Sequence, residues 1–258
     1  MAVRKAIRGL SPQELVNFRD AISQTKALRD ERGYNYFAGI HSLPPPEHCQ
    51  HGTLLFLPWH RAYLYFWELA LQDQVPDVGI PYWDWTAEIS HREGLPRAFT
   101  EERDENGADN PLFSTTVEWD ASLADQVRQQ LPGTIDEQGR TLRDPDPPDE
   151  LPRKATLDSI LDAPTFEDFS IRLENVHGDV HVWVGGAMSQ VATAGYEPIF
   201  VAHHSTIDRL WYLWQMRHPG MSPPASIMQL ALPPFPVTVA QTLNIQTLGY
   251  EYAVQISQ

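Results

Sequence analysis

The stretch that decides the fold is ENVHGDVHVW, residues 174–183, which places His177 and His181 four positions apart in a helical pattern of apolar residues. Residues at this spacing project from one face of a helix, so both imidazoles can reach one metal ion. The next helical pattern contains His203 and His204, whose side chains diverge by about 100° on an α-helix, so at most one of them joins the pair easily. The spacing therefore predicts a three-histidine metal site between two helices.

A second group of histidines lies upstream. His51 and His60 belong to the region of a long helix predicted over residues 53–74, and His41 comes from residues 31–50, which a run of three prolines predicts to be an irregular loop. Neither group includes a carboxylate placed as a third zinc ligand, and there is no HExxH motif. Ligation by imidazole alone suits copper and adds no negative charge to a site that binds O2. We infer two copper ions held by six histidines.

The rest of the chain is predicted to be mainly helical, with irregular stretches at the surface. A capping box at Ser11 begins the first helix, and apolar periodicity marks the later ones. The first helix is predicted to end near Asp30, and two later helices are predicted over residues 165–184 and 197–217. Residues 86–164 are predicted to form acidic, proline-rich surface loops with short helices. The runs PVTVA and YEYAVQI, within residues 222–258, predict a small edge sheet.

The composition excludes several classes of protein. The chain has 258 residues, 19 Lys and Arg against 34 Asp and Glu, a net charge of −15 and one cysteine. A disulfide scaffold is excluded, and so acidic a surface repels nucleic acid. No apolar run approaches the roughly 18 residues of a membrane span, and the N-terminus lacks the apolar core of a signal peptide. We expect a soluble, cytoplasmic protein with neither nucleic acid nor membrane as partner, and its oligomeric state stays open.

Four segments rich in histidine and tryptophan carry a resemblance: HGTLLFLPWHRAYLYFWE (51–68), PYWDWT (81–86), LENVHGDVHVWVGGAM (173–188) and YEPIFVAHHSTIDRLWYLW (196–214). They resemble the two copper-binding regions of the tyrosinase family, the type 3 copper proteins that include catechol oxidases and molluscan hemocyanins. The resemblance implies a mainly α-helical fold in which an antiparallel four-helix bundle holds a binuclear copper centre. It further implies that residues 1–258 form a single catalytic domain, without a C-terminal lid domain.

The resemblance also implies roles for individual histidines. In the family's HH pair the second histidine is the ligand, so His203 would be a buried hydrogen-bonding neighbour, and Asp208 would orient a ligand ring. By motif position, His41, His51 and His60 match the ligands of the first copper, and His177, His181 and His204 match those of the second.

Four further positions are similar to functional positions of the family. Cys49 and His51 have the Cys-x-His spacing that forms a thioether between sulfur and imidazole in many members, although a lone cysteine is otherwise just a small buried residue. Glu174 resembles the glutamate that holds a water near the second copper. Gly178 stands where tyrosinases with strong monophenol activity often carry asparagine, and Val191 matches the gate position above the first copper.

These resemblances imply a copper-dependent phenol oxidase that converts o-diphenols to o-quinones with O2 as co-substrate. Monophenols and o-aminophenols are further candidate substrates. A hemocyanin-like oxygen carrier is the first alternative, since it shares the six histidines, but carriers shield copper with a following β-domain that we do not expect here. A zinc hydrolase is the second alternative, and the sequence offers no general-base glutamate at the required spacing. Small phenols and dioxygen are therefore the expected partners.

Overall fold

The computed structural model of the protein describes residues 1–46 and 48–253 and is mainly α-helical. Three long helices, α3, α8 and α10, form its frame; α3 packs against α1, α8 and α10, and α7 packs against α8 and α10. The helices are α1 (Pro12–Ala27), α2 (Tyr34–His41), α3 (Phe56–Gln74), α4 (Glu88–Glu93), α5 (Arg97–Thr100), α6 (Ala121–Gln130), α7 (Lys154–Leu161), α8 (Phe166–Val184), α9 (Val191–Ala194) and α10 (Ile199–Arg217).

Local signals in the sequence account for the ends of the helices. The predicted capping box forms at the start of α1, where Ser11 and Glu14 each accept a hydrogen bond from the other's backbone N–H. The Thr165 side chain accepts from the N–H of Asp168 and begins α8. Gly185, at φ 66°, ends α8 in a backbone conformation that favours glycine. The mainly helical fold predicted from the sequence is confirmed.

The prediction of an irregular loop over residues 31–50 is wrong in its first half, because α2 occupies Tyr34–His41. The proline run begins at Pro44 and forbids a helix only there and just before it. Tyr34, Phe37 and His41 lie on one face at helical spacing, and all three are buried. His41 is therefore the last residue of a short helix rather than part of a loop.

The small sheets pair differently from the single edge sheet that was predicted. Strand β2 (Ala231–Leu232) pairs antiparallel with β3 (Phe235–Thr238), which contains part of PVTVA. Strand β4 (Tyr250–Tyr252), from YEYAVQI, pairs in parallel with β1 (Ala2–Arg4) near the other end of the chain. Residues 254–256 of that run lie outside the described residues. The two C-terminal runs thus belong to separate two-stranded sheets.

The acidic excursion over residues 86–164 contains short helices, as predicted, and a buried ion pair ties it to the frame. The Nε of Arg143 donates to Oε1 of Glu197 at 2.7 Å, and Glu197 is fully buried just before α10. The same guanidinium donates to the carbonyl of Leu112 at 3.0 Å. Arg143 therefore fastens the loops of the excursion against the segment that precedes α10.

In the part of the chain that the structure describes, no helix combines the length and the apolar character needed to cross a bilayer.

Candidate metal centre

The six histidines predicted as ligands lie together at the centre of the molecule. His41 ends α2, and His51 lies in the segment before α3. His60 lies in the second turn of α3, His177 and His181 lie one turn apart on α8, and His204 lies on α10. Four helices and one loop therefore meet at the histidine cluster.

The first three histidines form one triangle. Ring centroids are separated by 5.4 Å for His41 and His51, 5.5 Å for His41 and His60, and 5.2 Å for His51 and His60. The Nδ1 of His60 donates to the carbonyl of Phe56 at 2.8 Å, which leaves Nε2 as the nitrogen available to a ligand. The Nε2 atoms of His41 and His60 are buried and have no hydrogen-bond partner among the described residues.

The second three histidines converge more tightly. The Nε2 of His204 lies 3.2 Å from Nε2 of His177 and 3.2 Å from Nε2 of His181. The Nδ1 of His181 donates to the carbonyl of Met188 at 2.8 Å and so fixes that ring. Three ring nitrogens that converge on one point are typical of a site that a metal ion fills.

The two triangles adjoin. The rings of His60 and His204 are nearly parallel, 18° apart, with centroids separated by 4.6 Å. The ring centroids of His51 and His177 are 5.8 Å apart, and the two ring planes differ by 24°. Nitrogen atoms of His41, His60 and His204 also lie within 4.8 Å of one another, so the six rings form one continuous donor cluster. This spacing suits two metal ions held side by side.

The cluster is electrostatically suited to bind metal. Burial, and then the charge of neighbouring imidazoles, disfavours the protonated rings, and neutral imidazole is the form that ligates. An all-nitrogen donor set without a carboxylate fits copper. Burial lowers the pKa of His181 to about 4 and holds the pKa of His41, His60, His177 and His204 well below the ordinary value.

His203 is buried beside the second triangle. Its ring is nearly parallel to that of His177, with centroids 5.2 Å apart. Burial holds the pKa of His203 well below its ordinary value, and a hydrogen bond to the backbone of His177 partly opposes that shift. Its role as a buried hydrogen-bonding neighbour stays a prediction. His204, whose Nε2 lies 3.2 Å from the other two, is better placed than His203 to complete the triangle.

The prediction that Asp208 orients a ligand ring is wrong. Its carboxylate accepts hydrogen bonds from Tyr250 at 2.7 Å and Tyr252 at 2.6 Å, and it pairs with Arg61 and, at 3.1 Å, with Arg4. These four partners occupy the carboxylate, and no described histidine contacts it. Asp208 instead joins α10 to α3 and to the β1–β4 pair, one turn away from His204.

A cavity of about 280 Å3 leads from the surface to the histidine cluster. Glu174 lies in its wall, half-buried, and its Oε1 accepts a hydrogen bond from the N–H of Gly52 at 2.6 Å. Burial raises the pKa of Glu174, and the Gly52 hydrogen bond partly opposes that shift. Gly178 lines the cavity with nothing within 4 Å of the position a Cβ would take, and Val191 is 43% exposed at the edge.

The one cysteine lies against the first triangle. The Sγ of Cys49 is 3.5 Å from Nδ1 of His51, and the side chain is partly buried. Nitrogen and sulfur atoms of His41, Cys49 and His51 lie within 4.8 Å of one another. The sulfur therefore lies close enough to the ring for the predicted thioether to form after a small movement of the two side chains.

Two phenylalanines complete the cluster, and the sequence reading missed both. The Phe200 ring lies 4.1 Å from that of His204 and 4.7 Å from that of His41. The Phe56 ring lies 4.8 Å from that of His60 and 4.9 Å from that of His177. Each phenylalanine precedes a candidate ligand by four positions on its helix, and that spacing was the available signal.

Known proteins are similar to this chain in sequence and in fold. Residues 31–217 match the family model described as the common central domain of tyrosinase. The chain is 34% identical over 226 residues to "Hemocyanin, units G and H" of Sepia officinalis, which covers 83% of this chain and 37% of the Sepia protein. It is 33% identical over 243 residues to a tyrosinase of Streptomyces lincolnensis, which covers 84% of each.

Solved structures give the same result. A functional unit of octopus hemocyanin superposes with a TM-score of 0.81 and 28% identity, over 98% of this chain and 68% of that one. A tyrosinase from Burkholderia thailandensis superposes with a TM-score of 0.74 over 98% of this chain and 73% of that one, and at 24% identity it shows a common fold. The chain spans only about a third of the Sepia hemocyanin, but most of the Streptomyces tyrosinase.

Proposed function

Because the chain belongs to the tyrosinase family of type 3 copper proteins, we propose that it is a copper-dependent phenol oxidase that converts o-diphenols to o-quinones with O2. The observation that carries this proposal is the cavity of about 280 Å3, which reaches both histidine triangles from the surface. A space of that size suits a single-ring ligand. In the balanced reaction two o-diphenols each lose two electrons and two protons, and one O2 becomes two waters.

We assign one copper ion to each triangle. The first would be held by His41, His51 and His60, and the second by His177, His181 and His204. The buried Nε2 atoms of His41 and His60, which have no partner among the described residues, support the first site, because leaving such groups unpaired is costly. The convergence of the Nε2 atoms of His177 and His181 on that of His204 supports the second site. Hydrogen bonds from Nδ1 to the carbonyls of Phe56 and Met188 would hold two of the rings in the tautomer that ligates through Nε2.

The protein's own residues would bind and orient the phenol. When bound, the copper pair supplies the redox chemistry with O2. Phe200 and Phe56 pack around the imidazoles and exclude water from their far side. Glu174, with its raised pKa and one oxygen held by the N–H of Gly52, is placed in the wall to accept a phenolic proton directly or through a water.

A dioxygen carrier is the second candidate. The similarity to Sepia and octopus hemocyanins favours it, because both share the domain and its fold. A carrier would bind O2 reversibly and leave phenols unchanged, whereas an oxidase would consume O2 in proportion to quinone formed. The accessible cavity with a carboxylate in its wall favours the oxidase.

Oxygen uptake by the copper-loaded protein separates the two candidates. We expect uptake with catechols, o-aminophenols and, more slowly, monophenols, together with quinone absorbance for the catechols. Reversible binding of O2 with no turnover of any of the three classes would overturn the oxidase proposal and support the carrier.

The first prediction concerns monophenols. Phenol protons dissociate near pH 10, so hydroxylation needs a base or a basic water at the site. With glycine at position 178, a water beside Glu174 lacks an amide partner. Gly178→Asn should raise the tyramine-to-dopamine rate ratio severalfold, and the open space at Gly178 accommodates the side chain.

The companion variant is Glu174→Gln, which removes the proton acceptor while keeping the shape of the side chain and should lower the same ratio. Initial rates on both substrates are compared among the parent and the two variants. If the parent already hydroxylates tyramine as fast as it oxidises dopamine, the proposed role of Glu174 and Gly178 is wrong.

The second prediction concerns Cys49. Joining Sγ to a ring carbon of His51 removes one hydrogen from each and passes two electrons to the copper and O2 chemistry. The mature, copper-loaded protein should therefore be lighter by two hydrogen atoms, and its Cys49 peptide should resist alkylation. Protein prepared without copper is the control and should alkylate fully. Full alkylation of Cys49 in active, copper-loaded protein would contradict the thioether.

A further inference from the structure

The rim of the cavity that leads to the histidines is acidic. Apart from histidines, Glu174 is the only ionisable side chain among the described residues that line the cavity. Asp179 directly follows the lining residue Gly178 and is exposed on α8. Val182, three positions after Asp179 on the same helix, also lines the cavity and is 63% exposed. The wall formed by α8 therefore presents the carboxylate of Glu174 and the apolar side chain of Val182 to an entering molecule, and Asp179 is exposed next to this wall.

Two more carboxylates flank the C-terminal end of α8. The segment before α7 runs along this end, where the N–H of Asp144 donates to the carbonyl of Val184 at 3.2 Å and the N–H of Asp146 donates to the carbonyl of Trp183 at 2.9 Å. Both aspartates are exposed. The C-terminal end of a helix itself carries partial negative charge. The field at this side of the opening is therefore negative.

Two arginines adjacent to these elements in sequence are already paired with other carboxylates. Arg172, on the same helix, pairs with Asp168 at 2.8 Å. Arg143, beside Asp144, is 10% exposed and pairs with the buried Glu197 at 2.7 Å. The net charge of −15 adds a negative background. A positively charged group at the opening therefore meets attraction, and a negatively charged group meets repulsion.

We propose that this acidic rim makes the protein select phenols that carry an ammonium group over phenols that carry a carboxylate. The inference rests on the proposed oxidase function and gives it a substrate class. A phenolic ring that reaches the histidines keeps its substituent chain at the opening, beside Asp179 and Val182. The charge at the end of that chain then decides how strongly the molecule is held.

Three catechols of similar size test the proposal on the copper-loaded protein: dopamine, the neutral 4-methylcatechol and 3-(3,4-dihydroxyphenyl)propionate. At low ionic strength kcat/KM should fall in that order, with about a tenfold difference between the cation and the anion, and the difference should shrink severalfold in 0.5 M salt at roughly 4 Å Debye length. Equal values for the cation and the anion at low salt would overturn the proposal.

Rim variants test whether the effect is local. Asp179→Asn should reduce the preference for dopamine, and Val182→Lys should reverse it in favour of the propionate. Asp125→Asn makes the same change in net charge on α6, where the side chain is exposed and pairs with Arg128, and should leave the preference unchanged. An equal effect of Asp125→Asn and Asp179→Asn would attribute the preference to net charge and overturn the role of the rim.

Binding to the copper-free protein separates this inference from the proposed function. Saturation-transfer NMR with tyramine and 3-(4-hydroxyphenyl)propionate needs no turnover, and tyramine should bind more tightly. If no phenol is oxidised but tyramine is still preferred, the oxidase proposal fails and the rim selectivity stands. If phenols are oxidised and neither ligand is preferred, the rim selectivity fails and the oxidase proposal stands.

Discussion

Replacing His181 by alanine should reduce the copper content from two ions per chain to one and lower oxidase activity by a thousandfold or more, on the order expected when a metal-dependent reaction loses its metal. The ring of His181 is fixed by the carbonyl of Met188, and its Nε2 lies 3.2 Å from that of His204. Its loss leaves two nitrogens for the second ion. His60→Ala should do the same to the first ion.

The adjacent histidines on α10 supply a matched control. His204→Ala should lose the second ion, whereas His203→Ala should keep both, because His203 stacks on His177 and is not required to complete either triangle. Copper is measured by atomic absorption after gel filtration, and circular dichroism checks that each variant is folded. Retention of both ions by His204→Ala together with loss of one by His203→Ala would reverse the assignment. A content of two copper ions per chain in His60→Ala would contradict the assignment of one ion to each triangle.

Replacing Asp208 by asparagine should lower the free energy of unfolding by about 3–5 kcal/mol, the usual effect of removing one partner from a buried ion pair. The side chain of Asp208 is 2% exposed, and that of Arg4, one of its partners, is fully buried. Asparagine keeps the shape of the side chain but removes the negative charge that pairs with the buried guanidinium groups of Arg4 and Arg61. Urea unfolding at neutral pH measures the loss.

An exposed ion pair provides the comparison. Asp162 pairs with Arg217 at 2.6 Å, but its side chain is 70% exposed, so Asp162→Asn should change stability by about 1 kcal/mol or less. Tyr252→Phe, which removes one hydrogen bond to Asp208, should cost about 1 kcal/mol and provides a milder variant that still folds. Equal losses in Asp208→Asn and Asp162→Asn would show that the buried network contributes no special stability.

The effect of Asp208 should also depend on pH. Burial alone would raise the pKa of Asp208, but Arg61 and then Arg4 outweigh it and lower the pKa below its ordinary value. A carboxylate with a lowered pKa stabilises the fold above its unfolded pKa of about 4, and this contribution is lost as the pH falls through the folded pKa. The stability difference between the parent and Asp208→Asn should therefore be constant from neutral pH down to about 4 and shrink below that.

The parts of the fold set by local pattern could be predicted from the sequence. The four-residue spacing of His177 and His181 requires a helix, and α8 has it. The capping box at Ser11 forms at the start of α1. The proline run predicts an irregular segment over residues 31–50 and so hides the helix that carries His41, although proline restricts mainly the residue before it and the preceding turn.

Long-range pairing could not be predicted in this way. Nothing in the three residues Ala2–Arg4 indicates a partner at the other end of the chain, so β1 was missed and β4 was assigned to the wrong sheet. The contacts of Asp208 could not be predicted for the same reason. The family resemblance implied that Asp208 orients a ligand ring, but its partners include Arg4 and the tyrosines of β4, which only the tertiary fold brings near.

The pairing of β1 with β4 also constrains how the protein is made. Residues 2–4 contact residues 250–252, so this contact must wait until the roughly 250 residues between them have been translated. Contacts between such distant parts of a chain raise the contact order and slow folding. Until β4 arrives, the guanidinium of Arg4 lacks the rings of Tyr250 and Tyr252, and α3 and α10 lack part of the network that joins them. The buried network that joins α3 to α10 beside the histidine triangles is therefore completed late in folding.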